Sequence, residues 1–261
     1  MIIEANGIRM NYEISGARDA PIVMLSHSLG CRLDMWDAQV PVLEGRFRVL
    51  RYDTRGHGAT DAPEGAYTMA LLGQDALALL DALEIREVHW IGLSMGGMIG
   101  QYIALNHPHR FKSIVLCDTA GAMPEENQPL WDERIDAARR KGMEALVEVT
   151  MERWFTRSFL DRRPPEVDRI REQFLSTTVT GYIGCSEAIR RIDFLDRLHQ
   201  VSLRTLVMVG AEDPATPVEA AKTIQERIPD AGLVVLPSAA HLSNIEQHET
   251  FNEALIQFLQ P

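Results

Sequence analysis

The chain has 261 residues, of which 46% are hydrophobic and 24% charged, and these ordinary values exclude a disordered or fibrous protein. The formal net charge of -11, with no lysine or arginine run of the kind that follows a phosphate backbone, argues against nucleic acid as a partner. The three cysteines form no CxxC pair, so neither a disulfide framework nor a thiolate metal site is expected.

The N-terminal stretch MIIEANGIRMNYE has no basic segment followed by an apolar core, so we expect no secretory signal. The one long uncharged segment, residues 90–105, is shorter than the roughly 20 apolar residues that a membrane span needs. We therefore predict a cytoplasmic protein without a membrane partner, and leave its oligomeric state open.

Short apolar, β-branched runs alternate along the chain with segments of helical periodicity. The predicted strands are residues 8–14, 22–26, 47–52, 88–91, 113–117, 205–209 and 233–236. The predicted helices are residues 71–83, 98–105, 218–227 and 246–259. This alternation predicts an α/β fold with a mostly parallel, doubly wound sheet, in which a first hairpin-like pair is the antiparallel exception.

The pattern changes between Asp118 and Val201, where no convincing strand occurs, charge rises, and RRPPE at 162–166 interrupts the segment. We interpret residues 121–200 as an inserted helical cap. Residues 1–120 and 201–261 would then form the core that carries the sheet.

The stretch GLSMGG at 92–97 stands where a predicted strand gives way to a helix. Gly92 and Gly96 flank Ser94 in the pattern G-x-S-x-G, which is typical of a nucleophile elbow. The flanking residues must be small because the turn is tight, and the serine is pushed toward positive φ. Such a turn presents the serine hydroxyl at the carboxyl edge of the sheet, in front of a helix N-terminus.

A serine nucleophile needs a base, and the base needs a carboxylate to orient it. Asp213, in VGAEDPATP, and His241, in PSAAHLSNIE, each follow a predicted strand, and parallel topology brings both to the edge that carries Ser94. The chain order Ser94, Asp213, His241 is the one expected of α/β-hydrolases. Glu212 is the nearest competitor for the role of the acid.

An oxyanion hole would complete this machinery. We expect one donor to be the backbone N–H of Met95, the residue after the nucleophile, and the other to be the N–H of Leu29 in SHSLG at 26–30. The polar motif DTRGHG at 53–58 is interpreted instead as a structural loop, whose Arg55 donates to loop carbonyls or to Asp53.

Nearly the whole chain resembles α/β-hydrolases of the 3-oxoadipate enol-lactonase group. The motifs that carry the resemblance are SHSLG (26–30), RYDTRGHGATDAPEGAYT (51–68), GLSMGG (92–97), LCDTA (116–120), RWF (153–155) and AAHLSNIE (239–246). The resemblance implies a Ser94, Asp213 and His241 triad, a cap over residues 121–200, no cofactor or metal, and a place in aromatic-compound catabolism through the β-ketoadipate pathway.

Substrate contacts are expected from the cap and from the oxyanion loop. Trp154 in ERWFTRSF is predicted to form the pocket roof, and His27 is a further substrate-binding candidate. A protein this acidic needs a local cation to bind a carboxylate substrate, and a guanidinium fits a carboxylate bidentately. Arg153 is our first choice, and the alternatives are the other cap arginines Arg134, Arg157 and Arg190.

The sequence therefore predicts a serine hydrolase that opens a small lactone through an acyl-enzyme. Two close alternatives stay open, a general short-chain carboxylesterase and a lactonase for another ring. Carbon–carbon hydrolases that cleave ring-fission products share the triad and stay open as well. An alternative of another class is a non-catalytic receptor that binds a small ligand under the cap.

Overall fold

The computed structural model describes residues 1–260, which contain one sheet of eight strands in the order β1-β2-β4-β3-β5-β6-β7-β8. The strands are β1 (Ile2–Ala5), β2 (Ile8–Ser15), β3 (Ile22–Ser26), β4 (Arg48–Tyr52), β5 (Val88–Leu93), β6 (Phe111–Cys117), β7 (Arg204–Gly210) and β8 (Gly232–Leu236). Pairings β1–β2 and β2–β4 are antiparallel and the remaining pairings are parallel. The α/β fold with a mostly parallel sheet is thus confirmed.

Eleven α-helices occur within residues 1–260. They are α1 (Val40–Leu43), α2 (Met69–Ala82), α3 (Met95–Asn106), α4 (Gln128–Lys141), α5 (Val147–Trp154), α6 (Arg157–Asp161), α7 (Pro165–Ser176), α8 (Val179–Ile189), α9 (Val218–Arg227), α10 (Ser243–Glu246) and α11 (His248–Leu259). The 3-10 helices are Leu33–Trp36, Pro108–Arg110, Glu125–Asn127, Met143–Ala145 and Leu195–Gln200. None of the helices in this part of the chain has the length and apolar character needed to cross a bilayer.

Two sequence predictions differ from these elements. Strand β1 was not predicted, because its four residues are mostly exposed and show no buried run. The predicted helix over residues 246–259 begins instead at His248, as α11. Glu246 ends the short helix α10, and Gln247 between the two helices has the non-helical angles φ -124° and ψ 47°.

The segment between β6 and β7 contains α4–α8 and no strand of the sheet. An isolated antiparallel bridge joins Ala122 to Asp193 near the two ends of this segment. Both features are compatible with an inserted cap, and the division from the core at residues 121 and 200 stays a prediction.

The sheet centre is apolar on both faces, as a parallel sheet covered by helices must be. Every residue of β5 is buried except the half-buried His89, and Trp90 is fully buried against α3. The carboxyl ends of β3, β5, β7 and β8 open toward the segment between β6 and β7, and the loops after these strands position the candidate site.

The DTRGHG loop is structural, as predicted, but Arg55 binds Asp75 and not Asp53 or a loop carbonyl. Arg55 donates from Nε and Nη2 to the two carboxylate oxygens of Asp75 in α2, at 2.7 and 2.6 Å, and both side chains are buried. Asp53 accepts instead from backbone N–H groups, including that of Leu33. His57 accepts from the Gly30 N–H at 2.9 Å, so this loop supports the loop after β3.

The turn after β5 has the strained geometry of a nucleophile elbow. Ser94 has φ 54° and ψ -112°, and its N–H donates to the Cys117 carbonyl at 2.9 Å. A Cβ on Gly92 would lie 2.2 Å from the Gly96 carbonyl oxygen, and a Cβ on Gly96 would lie 2.1 Å from the Ser26 carbonyl oxygen. The glycines are therefore required by close backbone contacts with β3 and with the first turn of α3.

Replacing Gly96 with alanine should destabilise the protein by about 2 kcal/mol or more, because backbone and not a flexible side chain blocks the added methyl group. Gly45→Ala is the matched control, since a Cβ there meets nothing within 4 Å. The measurement is the free energy of unfolding in urea. Equal stability of the two variants would contradict the close-contact explanation.

The lowered pKa values of two buried histidines, His27 and His57, lead us to expect that the protein loses stability in mild acid. Burial lowers the pKa of His27 to about 4, and burial together with the charge of His27 lowers the pKa of His57 to about 3. The unfolded chain binds protons near pH 6.5 while the folded chain does not, so the free energy of unfolding falls as pH drops from 6.5 to 4. Each histidine contributes about 3 kcal/mol to this fall.

Urea unfolding at several pH values measures this effect. His57→Gln should flatten the pH dependence between 6.5 and 4, whereas His248→Gln, at an exposed position, should leave the slope as it is. A slope unchanged by His57→Gln would show that His57 does not cause the loss.

Candidate active site

Three side chains from three loops form a continuous hydrogen-bonded network. Ser94 Oγ lies 2.9 Å from His241 Nε2, and His241 Nδ1 lies 2.8 Å from Asp213 Oδ2. All three residues are buried. The predicted residues are thus brought together in the predicted order, and the network is consistent with a catalytic triad.

Asp213 is held in place by its own loop. Its Oδ1 accepts from the N–H groups of Ala215 and Thr216, and its Oδ2 accepts from the Thr216 hydroxyl at 2.6 Å. Burial raises the pKa of Asp213, but the facing His241 and these hydrogen bonds outweigh it and hold the pKa below its ordinary value. Glu212, the competitor considered above, is exposed.

The proposed oxyanion donors come from the loops after β3 and β5. These strands pair with Ser26 opposite Gly92, so the two loops are neighbours. Within residues 1–260, neither the Leu29 N–H nor the Met95 N–H donates to a backbone acceptor. Both amides are thus available, and Met95 begins α3, whose N-terminal dipole favours negative charge.

A cavity of about 70 Å³ adjoins the Ser94 hydroxyl. Among the residues that line it are Ser28, Leu29, Ser94, Thr150, Trp154, Phe174, Tyr182 and His241. The Trp154 indole stacks against the His241 imidazole, with ring centroids 6.4 Å apart and an interplanar angle of 30°. Trp154 therefore lies where a pocket roof was predicted. The volume is small beside the roughly 300–1,000 Å³ of pockets for drug-sized ligands.

The structure separates the four candidate arginines of the cap into two pairs. Arg134 and Arg153 line the cavity, and neither forms an ion pair within residues 1–260. Arg157 is exposed and pairs with Asp161, and Arg190 pairs with acidic side chains of the cap. Only the first pair can offer a free guanidinium to a ligand in this cavity.

Arg134 is a partly buried candidate cation at the cavity. Its guanidinium lies over the Trp131 ring, 5.4 Å from the centroid. Burial lowers the pKa of Arg134 from its ordinary value, although a guanidinium stays charged at neutral pH. A partly desolvated cation without a carboxylate partner is a favourable place for an anionic group of a ligand.

His27 lies behind the pocket wall and is not among the residues that line the cavity. It is fully buried, its Nδ1 donates to the Ser28 carbonyl at 2.7 Å, and its Nε2 accepts from the Thr54 N–H at 2.9 Å. Both ring nitrogens are thus engaged by backbone groups. This placement suits a residue that supports the oxyanion loop rather than one that contacts substrate.

One contributor to the site was not singled out from the sequence, and another was named only as an alternative to Arg153. Thr216 binds the acid in a turn that the pattern DPAT could have indicated, because an aspartate often accepts from N–H groups two and three residues later. Arg134 lies in the highly charged helix α4, where nothing in the sequence distinguishes the arginine that faces the cavity.

No cluster of three or more His, Cys, Asp or Glu side chains that could hold a metal ion occurs within the described residues. The geometry instead provides a nucleophile, a base and an orienting acid in hydrogen-bond contact, beside two backbone donors. This arrangement can perform acyl transfer through a covalent intermediate.

Comparisons with known proteins agree with this geometry. Residues 21–247 match the family described as alpha/beta hydrolase fold. The chain is 36% identical to 3-oxoadipate enol-lactonase 2 of Acinetobacter baylyi, over 97% of this chain and 94% of the relative.

Two solved structures are similar over nearly their whole length. The enol-lactonase of Burkholderia xenovorans LB400 superposes with a TM-score of 0.96 at 38% identity, covering 99% of both chains. A thermophilic esterase of Thermogutta terrifontis, solved with malate bound, superposes with a TM-score of 0.93 at 28% identity, covering 99% of this chain and 97% of the esterase. The resemblance drawn from the motifs is confirmed, and the chain belongs to the α/β-hydrolase family, with enol-lactonases among its relatives.

Proposed function

We propose that this protein is a serine hydrolase that opens a small lactone carrying a carboxylate, of the 3-oxoadipate enol-lactone type. The observation that carries the proposal is the Ser94–His241–Asp213 network, placed beside a small cavity that also contains two unpaired arginines. The similarity to enol-lactonases supports the same substrate class.

In the proposed reaction, Ser94 Oγ attacks the lactone carbonyl carbon while its proton passes to His241 Nε2. The Met95 and Leu29 amides stabilise the tetrahedral oxyanion. The bond from the acyl carbon to the ring oxygen then breaks, and the enol oxygen takes the proton from His241 before it tautomerises to a ketone. Water, deprotonated by His241, hydrolyses the acyl-enzyme and restores the Ser94 hydroxyl.

The cavity provides the basis for substrate selection. Its volume of about 70 Å³ excludes long acyl chains unless the cap moves, which favours a compact ring. Arg134 and Arg153 supply positive charge in a protein whose formal net charge is -11. We propose that one of these two arginines binds the substrate carboxylate, and that Arg157 and Arg190 do not.

The second candidate is a short-chain carboxylesterase, which needs the same triad but no carboxylate site. The likeness to the thermophilic esterase favours it. The third candidate is a non-catalytic receptor. A receptor does not need the hydrogen bonds that join Ser94, His241 and Asp213, so this network favours an enzyme. The cytoplasmic location and the β-ketoadipate pathway stay predictions.

The first prediction from this proposal concerns Arg134. Arg134→Met keeps an apolar side chain over Trp131 but removes the charge. The KM for 3-oxoadipate enol-lactone should therefore rise about 10- to 100-fold, which is the loss expected for a charge-assisted hydrogen bond. The KM for p-nitrophenyl butyrate, which has no carboxylate, should stay within about threefold of the wild-type value. Steady-state kinetics on both substrates measure the difference.

Arg157→Met is the matched control, because Arg157 is an exposed arginine of the same segment that pairs with Asp161. Arg153→Met is measured in parallel. If neither Arg134→Met nor Arg153→Met raises the lactone KM selectively, the carboxylate proposal is wrong and the esterase reading is favoured.

The second prediction concerns the acid. Asp213→Asn should lower kcat by about 10⁴-fold on either substrate, because an amide in this place no longer holds the imidazole in the required tautomer. Glu212→Gln, one residue earlier and exposed, should retain near wild-type kcat. The reverse pattern would move the acid to Glu212 and contradict the proposed triad.

A further inference from the structure

Glu246, the last residue of the motif HLSNIE, lies outside the Ser94–His241–Asp213 network yet is buried beside it. The residue is 6% exposed and ends α10, the short helix that follows His241. Within residues 1–260, its carboxylate forms no ion pair with Lys, Arg or His. A buried carboxylate without a cation costs free energy, so its hydrogen bonds must be accounted for.

Those hydrogen bonds come from two different parts of the chain. From the segment between α5 and α6, the Thr156 N–H donates to Oε1 at 3.1 Å, and the Thr156 hydroxyl donates to the same oxygen. From the histidine loop, the Ala240 N–H donates to Oε2 at 3.0 Å. We name this set of contacts the Glu246 bridge; it joins the predicted cap to the residue immediately before His241.

A second contact joins the same two segments on the other side of the histidine. The Leu242 N–H donates to the Trp154 carbonyl at 3.0 Å, and the Trp154 indole stacks against the His241 ring. The backbone on both sides of His241 is therefore fixed to residues 154–156. Any shift of this part of the cap displaces the imidazole as well.

The chemistry of the Glu246 bridge requires a carboxylate in particular. Each of its partners is an N–H or O–H donor, and only an ionised carboxyl accepts at both oxygens. A glutamine would turn an NH₂ group toward one of these donors and lose at least one hydrogen bond. Burial raises the pKa of Glu246, and the bonds from Thr156 and Ala240 oppose this rise.

We propose that Glu246 is a positioning residue that holds His241 and the Trp154 edge of the cap as one unit, so that the base is aligned with Ser94 when the roof is in place. This inference rests on the proposed hydrolase function and deepens it. Glu246 does not touch the substrate, and it acts through the two loops that it joins.

Glu246→Gln tests the proposal, with Glu249→Gln as the matched control at an exposed position in α11. Three quantities are measured: kcat for p-nitrophenyl butyrate, the rate at which a fluorophosphonate labels Ser94, and Tm. We expect kcat and the labelling rate to fall together by about 10- to 100-fold, because misplacing a base by a fraction of an ångström is costly. The kinetics are run well below the Tm of the variant.

Two variants of Thr156 keep the test decisive if Glu246→Gln folds poorly, and a double-mutant cycle is measured where Glu246→Gln folds. Thr156→Val removes the hydroxyl donor of the Glu246 bridge, whereas Thr156→Ser keeps it. We expect Thr156→Val to lower kcat, Thr156→Ser to retain it, and the double variant with Glu246→Gln to be no slower than the slower single variant.

The opposite results overturn the inference. A drop in Tm with kcat and labelling rate within about twofold of wild type would make Glu246 a purely structural residue. Fully additive losses in the cycle would show that Thr156 and Glu246 act separately. Failure of the proposed function is distinguishable, because it appears in the wild-type protein as an absence of ester and lactone turnover.

Discussion

The site depends on one strained backbone turn. Ser94 has φ 54° because the chain must turn sharply from β5 into α3. Neighbouring backbone atoms leave no room for a Cβ at positions 92 and 96, so both residues are glycines. That turn places the hydroxyl at the carboxyl edge of the sheet and the N-terminus of α3 directly behind it. The loops after β7 and β8 end at the same edge, which is why Asp213 and His241 reach the serine from distant parts of the sequence.

Charged side chains at the cavity and elsewhere on the cap differ in whether they have ion-pair partners. The protein is acidic overall, yet Arg134 and Arg153 line its cavity without acidic partners, whereas Arg157 and Arg190 pair with carboxylates of the same segment. A small anionic substrate would thus find unpaired positive charge inside the cavity, close to the reacting serine. The buried Glu246 carboxylate joins the predicted cap to the histidine loop by hydrogen bonds rather than by charge pairing.

The sequence was sufficient to predict seven of the eight strands and the network, because local signals specify both. Apolar runs revealed the buried strands, and the elbow glycines together with two polar residues after late strands revealed Ser94, Asp213 and His241. Contacts between distant segments could not be predicted in this way. Periodicity does not tell which arginine of a charged helix faces a cavity, so Arg134 ranked behind Arg153. Likewise, Arg55 reaches Asp75 rather than Asp53, and His27 turns away from the pocket, for reasons of packing alone.

The central claim is that Ser94 is an activated nucleophile. The most direct measurement is stoichiometric labelling of the native protein with a fluorophosphonate, followed by peptide mapping of the modified residue. The account predicts one label per chain, on Ser94, with labelling abolished in His241→Ala although that variant remains folded. Labelling of a different serine, or a Ser94 that reacts no faster in the native protein than after unfolding, would contradict it.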